Sequence, residues 1–155
     1  MTWRKETLLT DHKKVILSMP DPTLWTFMSY VADNDRDVAT EWDAPQSFEA
    51  EQALHNLMKN HRKTKSHLEW TSFRHKMKGD AGKHGVVELG FKADKRAYRI
   101  LCMFNGPMCI VVLCICFHKS SVWTPKDAVK MATERAKAIT AKKAKLNVIP
   151  IEDNL

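Results

Sequence analysis

The chain has 155 residues, 44% of them hydrophobic and 28% charged, with a formal net charge of +7. That length suits one domain with a buried core; five Gly and six Pro are too few for a collagen-like or low-complexity chain, and the apolar fraction argues against wholesale disorder. The longest apolar run, Met108 to Phe117, is ten residues, about half of the ~20 that span a bilayer, and Met1-Thr2-Trp3-Arg4-Lys5-Glu6 leads into no apolar signal segment. A cytoplasmic protein without membrane contact is the expectation.

Charge is unevenly spread. Residues 1–58 hold 5 Lys/Arg against 10 Asp/Glu, residues 59–99 hold 12 against 4, and everything after residue 58 carries +12. Such a footprint suits a polyanionic partner and equally a solvated basic surface.

In chain order, Trp3–Leu9 and Lys13–Met19 read as short edge strands. Asp21-Pro22 reads as an N-cap with Pro at N1, opening a helix through about Val31. Asp33–Asp37 is a polar loop. Ser47 caps a second helix with Ala50, Leu54, Leu57, Met58 and His61 on one face. Ser66–Met77 reads as a third helix carrying Leu68, Trp70, Phe73 and Met77, followed by a loop marked by Gly79, Gly82 and Gly85. Val86–Ala93 alternates as a strand, with Val87, Leu89 and Phe91 on one face. Tyr98–Phe104 and the apolar run Met108–Phe117 are further strands, the last of them central, joined at Asn105-Gly106. Thr124-Pro125 opens a long helix through about Leu146, with Ala128, Val129, Ala132, Ala136 and Ile139 on one side and Lys126, Lys130 and Lys137 on the other. The whole is α+β: helices packed on a small antiparallel sheet with a long C-terminal helix, one domain in which an acidic elaboration, 1–46, precedes a core at 47–146.

Strand register assembles a candidate site. A two-residue loop at Asn105-Gly106 pairs Cys102 with Cys109 and Ile100 with Val111. A four-residue loop at Asp94–Ala97 pairs Phe91 with Ile100 and sets Lys92 opposite Arg99. One face then collects Glu88, Lys92, Arg99 and His118, beside Leu101, Met103, Ile110 and Val112. Two cations opposed across strands are destabilising unless an anion lies between them; Glu88 or a bound phosphate would serve. Arg99 would stabilise charge developing on a phosphate while Lys92, His118 or Lys119 exchanges protons; a surface ion cluster is the plain alternative. The four cysteines, Cys102, Cys109, Cys114 and Cys116, lie in apolar runs and read as buried thiols rather than metal or redox groups. No His pair makes a metal motif, and neither a metal nor another cofactor is expected.

At these residues a pattern appears. Met77-Lys78-Gly79, Gly85-Val86-Val87-Glu88-Leu89-Gly90-Phe91, Tyr98-Arg99-Ile100-Leu101, Phe117-His118-Lys119-Ser120, Thr124-Pro125-Lys126 and Ala132-Thr133-Glu134-Arg135 occur in the order seen in the RelE/HigB toxin superfamily, and most resemble its phage-derived HigB-like branch, over about residues 47–140. The resemblance implies an mRNA endoribonuclease acting at the ribosome without metal, by attack of the ribose 2′-hydroxyl on the adjacent phosphate, and neutralised by a cognate antitoxin. It matches Arg99 to the family's Tyr-Arg arginine and Lys119 to its F-x-K-K lysine; Lys92, which follows the Glu88-Leu89-Gly90-Phe91 strand, is a looser match. Lys78, Lys83, Lys95, Arg96, Lys126, Lys130 and Lys137 form the expected RNA-binding set. Gly90 stands where the branch carries a basic residue, Ser120 replaces its second lysine, and Asn147–Leu155 holds no Tyr or His. These departures keep open a second reading, a non-catalytic interaction protein on the same scaffold that inhibits a host component, in the manner of ParE, or binds nucleic acid.

Overall fold

The computed structural model describes residues 22–43, 45–119 and 121–151; the strands expected at Trp3–Leu9 and Lys13–Met19 lie outside them. The elements are β1 (Thr26–Val31), α1 (Val38–Asp43), α2 (Phe48–Arg62), a 3-10 turn at His67–Glu69, β2 (Phe73–Lys76), α3 (Gly79–Lys83), β3 (Val87–Ala93), β4 (Arg96–Phe104), β5 (Cys109–Lys119), β6 (Val122–Thr124), α4 (Ala128–Thr140) and β7 (Lys145–Val148). They form an α+β fold built on one sheet of order β2-β3-β4-β5-β1-β7, with β6 pairing the end of β5. All pairings are antiparallel except β1 with β5.

Helices cover both faces. On one, α2 begins as its sequence predicts: the Ser47 hydroxyl accepts from the Ala50 amide and also bonds to Asp94, tying the helix to the β3–β4 turn. Its buried face is Ala50, Leu54, Leu57, Met58 and His61; Leu54, Leu57 and Met58 pack with Phe27, Trp70, Val87, Leu89, Ile100 and Ile110, and Ala50 packs with Ala93 and Tyr98. Each large aliphatic buried there contributes roughly 1.5–3 kcal/mol. On the other face the small residues Ala128, Ala132 and Ala136 let α4 lie close against Leu101, Val111, Leu113 and Cys114.

Four expectations need correction. The helix proposed to run to Val31 is instead β1; its Phe27, Ser29 and Val31 are buried in alternation, and it is inserted between β5 and β7. Ser66–Met77 is a 3-10 turn, locked by a capping box in which Ser66 and Glu69 bond each other's backbone amides, followed by β2. The C-terminal helix starts at Ala128 and stops at Thr140; Lys142 takes a left-handed φ of 58° and the chain returns as β7 along β1. Gly79–Lys83, expected as loop, forms the short α3.

Both hairpin registers also differ from expectation. Asp94 and Lys95, with φ of 52° and 61°, make a two-residue turn that pairs Ala93 with Arg96, so Arg99 lies opposite Gly90 and Lys92 opposite Ala97. The loop after β4 is longer than Asn105-Gly106: the Asn105 amide bonds to the Cys109 carbonyl, and Phe104 pairs with Ile110. A bulge then inserts Leu113, since Cys102 pairs with Val112 but Leu101 with Cys114. Ile110 and Val112 therefore join the α2 face rather than the face of Arg99.

Candidate functional site

Beyond the part of the sheet that α4 covers, the same face carries Gly90, Lys92, Arg99 and His118, none of them fully buried. Arg99 is fixed there. Its Nε lies 3.1 Å from Glu88 Oε2, on a carboxylate side chain only 7% exposed, and its Nη1 donates to the Tyr98 carbonyl at 3.3 Å. The Cys116 thiol beneath it donates to the Arg99 carbonyl at 3.5 Å. The neighbouring Cys114 thiol and burial together push Cys116 far above its usual range, so Cys116 stays protonated.

Two side chains absent from the expected site complete it. The pairing of β2 with β3 slips between Phe73 and His75, leaving Arg74 as the extra residue of a bulge, a device that re-aims side chains. Its aliphatic stem lies over Gly90: a Cβ added there would sit 3.2 Å from Arg74 Cδ and 2.9 Å from Arg99 Nη1. The missing side chain at position 90 thus makes room for two arginines. His75, opposite Glu88, places Nε2 3.8 Å from Glu88 Oε2, the oxygen that also holds Arg99. Sequence reading missed Arg74 and His75 because their segment was taken as helix; the surviving signal was Gly90, a glycine inside an alternating strand.

Of the other expected residues, His118 is on the Arg99 face, its ring 4.7 Å from that of Trp123. Lys92 is exposed one side-chain row along from Gly90. Strand alternation turns Lys119 to the opposite face from His118. Arg96 is also on that opposite face, its guanidinium 4.8 Å above the Phe117 ring, and Lys95 lies in the turn. Lys78 and Lys83 flank α3, Lys126 precedes α4, and Lys130 is exposed on it. Lys137 is engaged by Asp80 at 3.7 Å. The basic residues therefore surround the sheet end on several sides rather than lining one track.

A cleft of about 700 Å³ between α1, α2 and β7 has the opposite sign, lined by Asp35, Asp37, Asp43 and Glu51. Burial, with Glu51 and Asp37 nearby, raises the Asp43 carboxyl to about 6. Among the described residues no group of three or more His, Cys, Asp or Glu could hold a metal ion, and no helix is long and apolar enough to cross a membrane.

Gly90→Ala tests whether the open position matters. Position 90 lies in a strand and needs no left-handed φ, so its backbone accepts alanine. The new methyl group displaces Arg99 and Arg74, and the salt concentration that elutes the protein from heparin should fall. Unchanged elution would show that the two arginines do not act on a common anion.

A family model described as phage derived protein Gp49-like (DUF891) matches residues 45–137, which include α2, β2–β5, β6 and most of α4. No curated protein and no solved structure matches the chain. With well over half of its length inside that match, the chain belongs to the phage-derived Gp49-like family, toxin-like proteins of the RelE/HigB-like toxin–antitoxin type.

Proposed function

We propose that the protein is a toxin-like endoribonuclease that cleaves mRNA, in association with the ribosome and without a metal, from the sheet face centred on Arg99. One observation carries the reading: a guanidinium oriented by a buried carboxylate, with a second arginine beside it over a glycine, at the end of a sheet face where Arg99 and His118 are only partly buried. In the reaction the 2′-hydroxyl attacks the adjacent phosphate. Arg99 stabilises the charge that accumulates on the pentavalent phosphorus, and His118 and Lys92 are the nearby groups on this face for proton exchange. The chemistry is assigned to the 47–146 core, the location to the cytoplasm, and a cognate antitoxin is the partner that would cover the face.

The Glu88–Arg99 pair also supports the second reading, because it neutralises part of the charge an active site would use. In that case the face is a docking surface for a host component. Inducible expression in a bacterial host, with mapping of mRNA 5′ ends, separates the two. New 5′ ends inside translated reading frames should appear with the wild type and fall at least tenfold with Arg99→Lys, which keeps a cation beside Glu88 but loses the forked donors. Growth arrest with intact mRNA would overturn the nuclease reading in favour of the interaction protein.

A further inference from the structure

We propose that Arg74 and Arg99 form a cradle for a single RNA phosphodiester above Gly90, and that His75, held at Nδ1 by the Lys76 carbonyl, accepts the proton of the attacking 2′-hydroxyl. This rests on the RNA-cleavage reading and deepens it: it makes Arg74 the second phosphate ligand and gives the general base to His75 in place of Lys92.

The cradle follows from charge and space. Arg74 and Arg99 approach one point on β3, where only a glycine leaves room for them. Glu88 offsets Arg99 alone; Arg74 makes no ion pair among the described residues. Two guanidiniums against one carboxylate leave an excess positive charge, and planar forked donors suit the non-bridging oxygens of a phosphodiester. The β2 bulge is what brings Arg74 to this face beside His75.

The base follows from the ring's own contacts. His75 Nδ1 lies 3.1 Å from the Lys76 carbonyl oxygen. A carbonyl only accepts, so Nδ1 carries a hydrogen, and in the neutral ring Nε2 holds the free lone pair. That nitrogen lies 3.8 Å from Glu88 Oε2, so the ring can pair with the carboxylate once it has taken up the proton. The His75 side chain is 55% exposed, so a substrate can reach it, whereas Glu88 is buried and acts only through its neighbours.

The sheet also separates the two ends of the reaction. His75 lies on β2, two strands from Arg99 and displaced toward the Glu88 row; His118 lies on β5, one strand away and displaced the other way. The two histidines therefore lie on opposite sides of the phosphate position, and the proposed in-line displacement assigns one to each end. The 2′-O–H proton passes to His75 Nε2, the 2′-oxygen bonds to phosphorus, and the P–O5′ bond breaks. The departing 5′-oxygen takes a proton from the His118 imidazolium. The products are a 2′,3′-cyclic phosphate and a 5′-hydroxyl, and solvent resets the two rings.

The test uses the purified full-length protein with translating ribosomes on a defined mRNA, and a 2′-O-methyl RNA as an uncleavable binding probe. His75→Ala should lower cleavage at least 100-fold, the scale of a lost general base, while probe affinity stays within twofold. Added imidazole should restore at least a tenth of the lost rate. Arg74→Ala should weaken probe binding several-fold and reduce its salt slope by about one. If the wild type cleaves and His75→Ala cleaves equally well, His75 is not the base and the nuclease reading stands without it. If His75→Ala loses binding and cleavage together and imidazole restores neither, His75 is a contact residue, which also overturns the assignment. A wild type that binds the probe and leaves the mRNA whole overturns both the assignment and the nuclease reading.

Discussion

Arg99→Ala is expected to lower the unfolding free energy by about 3–5 kcal/mol, because it strips the partner from a buried carboxylate. Glu88 is 5% exposed, and among the described residues its only close full cation is Arg99 at 3.1 Å. His75, at 3.8 Å and half in solvent, is too distant and too exposed to replace it. Urea unfolding of the single variant measures the loss. The double variant Arg99→Ala/Glu88→Gln should recover more than half of it, since a neutral amide costs far less to bury than a charge without a partner. A single-variant loss below about 1 kcal/mol would mean that water reaches Glu88 and that the pair orients nothing. One consequence is practical: silence of Arg99→Ala in a toxicity assay mixes unfolding with chemistry. Arg99→Lys and Arg74→Ala, which leave Glu88 its partner, are the variants that report on function.

How much of this was legible beforehand depends on whether an element is set locally or at long range. The alternation of Val87, Leu89 and Phe91 and the Ser47 cap of α2 are local signals, and both elements appear where they predict. β1 was misread because Asp21-Pro22 imitates a helix start, while its strand state comes from parallel pairing with β5 more than 80 residues away. In Ser66–Met77 the apolar positions imitate helical spacing, but the Ser66–Glu69 capping box closes only a single 3-10 turn. That error concealed Arg74 and His75.

The register errors are instructive because they differ in parity. Shifting β3 against β4 by two residues moved the partner of Arg99 from Lys92 to Gly90 without changing faces. The shift of three at the start of β5 exchanged the faces of Ile110 and Val112, and the Leu113 bulge then restored the parity for Cys114 onward. His118 thus reached the Arg99 face through a bulge that no periodicity announces. The site as a whole was half legible: Glu88 and Arg99 are in contact, whereas the side chains that turn an ion pair into an anion cradle came from a strand the sequence disguised as a helix.

Acidification from pH 6.5 to 4 is expected to destabilise the protein through His61, with a ceiling of about 3 kcal/mol from this residue. His61 ends the buried face of α2, stacks on Trp70 with centroids 4.7 Å apart, and has Nε2 2.6 Å from the Ser72 hydroxyl. Burial lowers it from 6.5 to about 4. Over that interval the unfolded chain binds a proton that the native state refuses. The stability His61 contributes is therefore complete above pH 6.5 and is lost as pH falls toward 4. Asp43 works in the opposite direction: raised from 3.8 to about 6, it favours the native state below pH 3.8, and that contribution fades as pH rises through 6. Half-exposed Asp43 has the smaller effect, so the net slope should follow His61. Urea midpoints at pH 6.5, 5.5 and 4.5 give that slope. His61→Gln should flatten it whatever the variant does to absolute stability, and Asp43→Asn should steepen it. An unchanged slope in His61→Gln would mean that the ring is already protonated, or solvated, in the native α2–Trp70 stack, and the acid sensitivity of the fold would then have to come from the carboxylates.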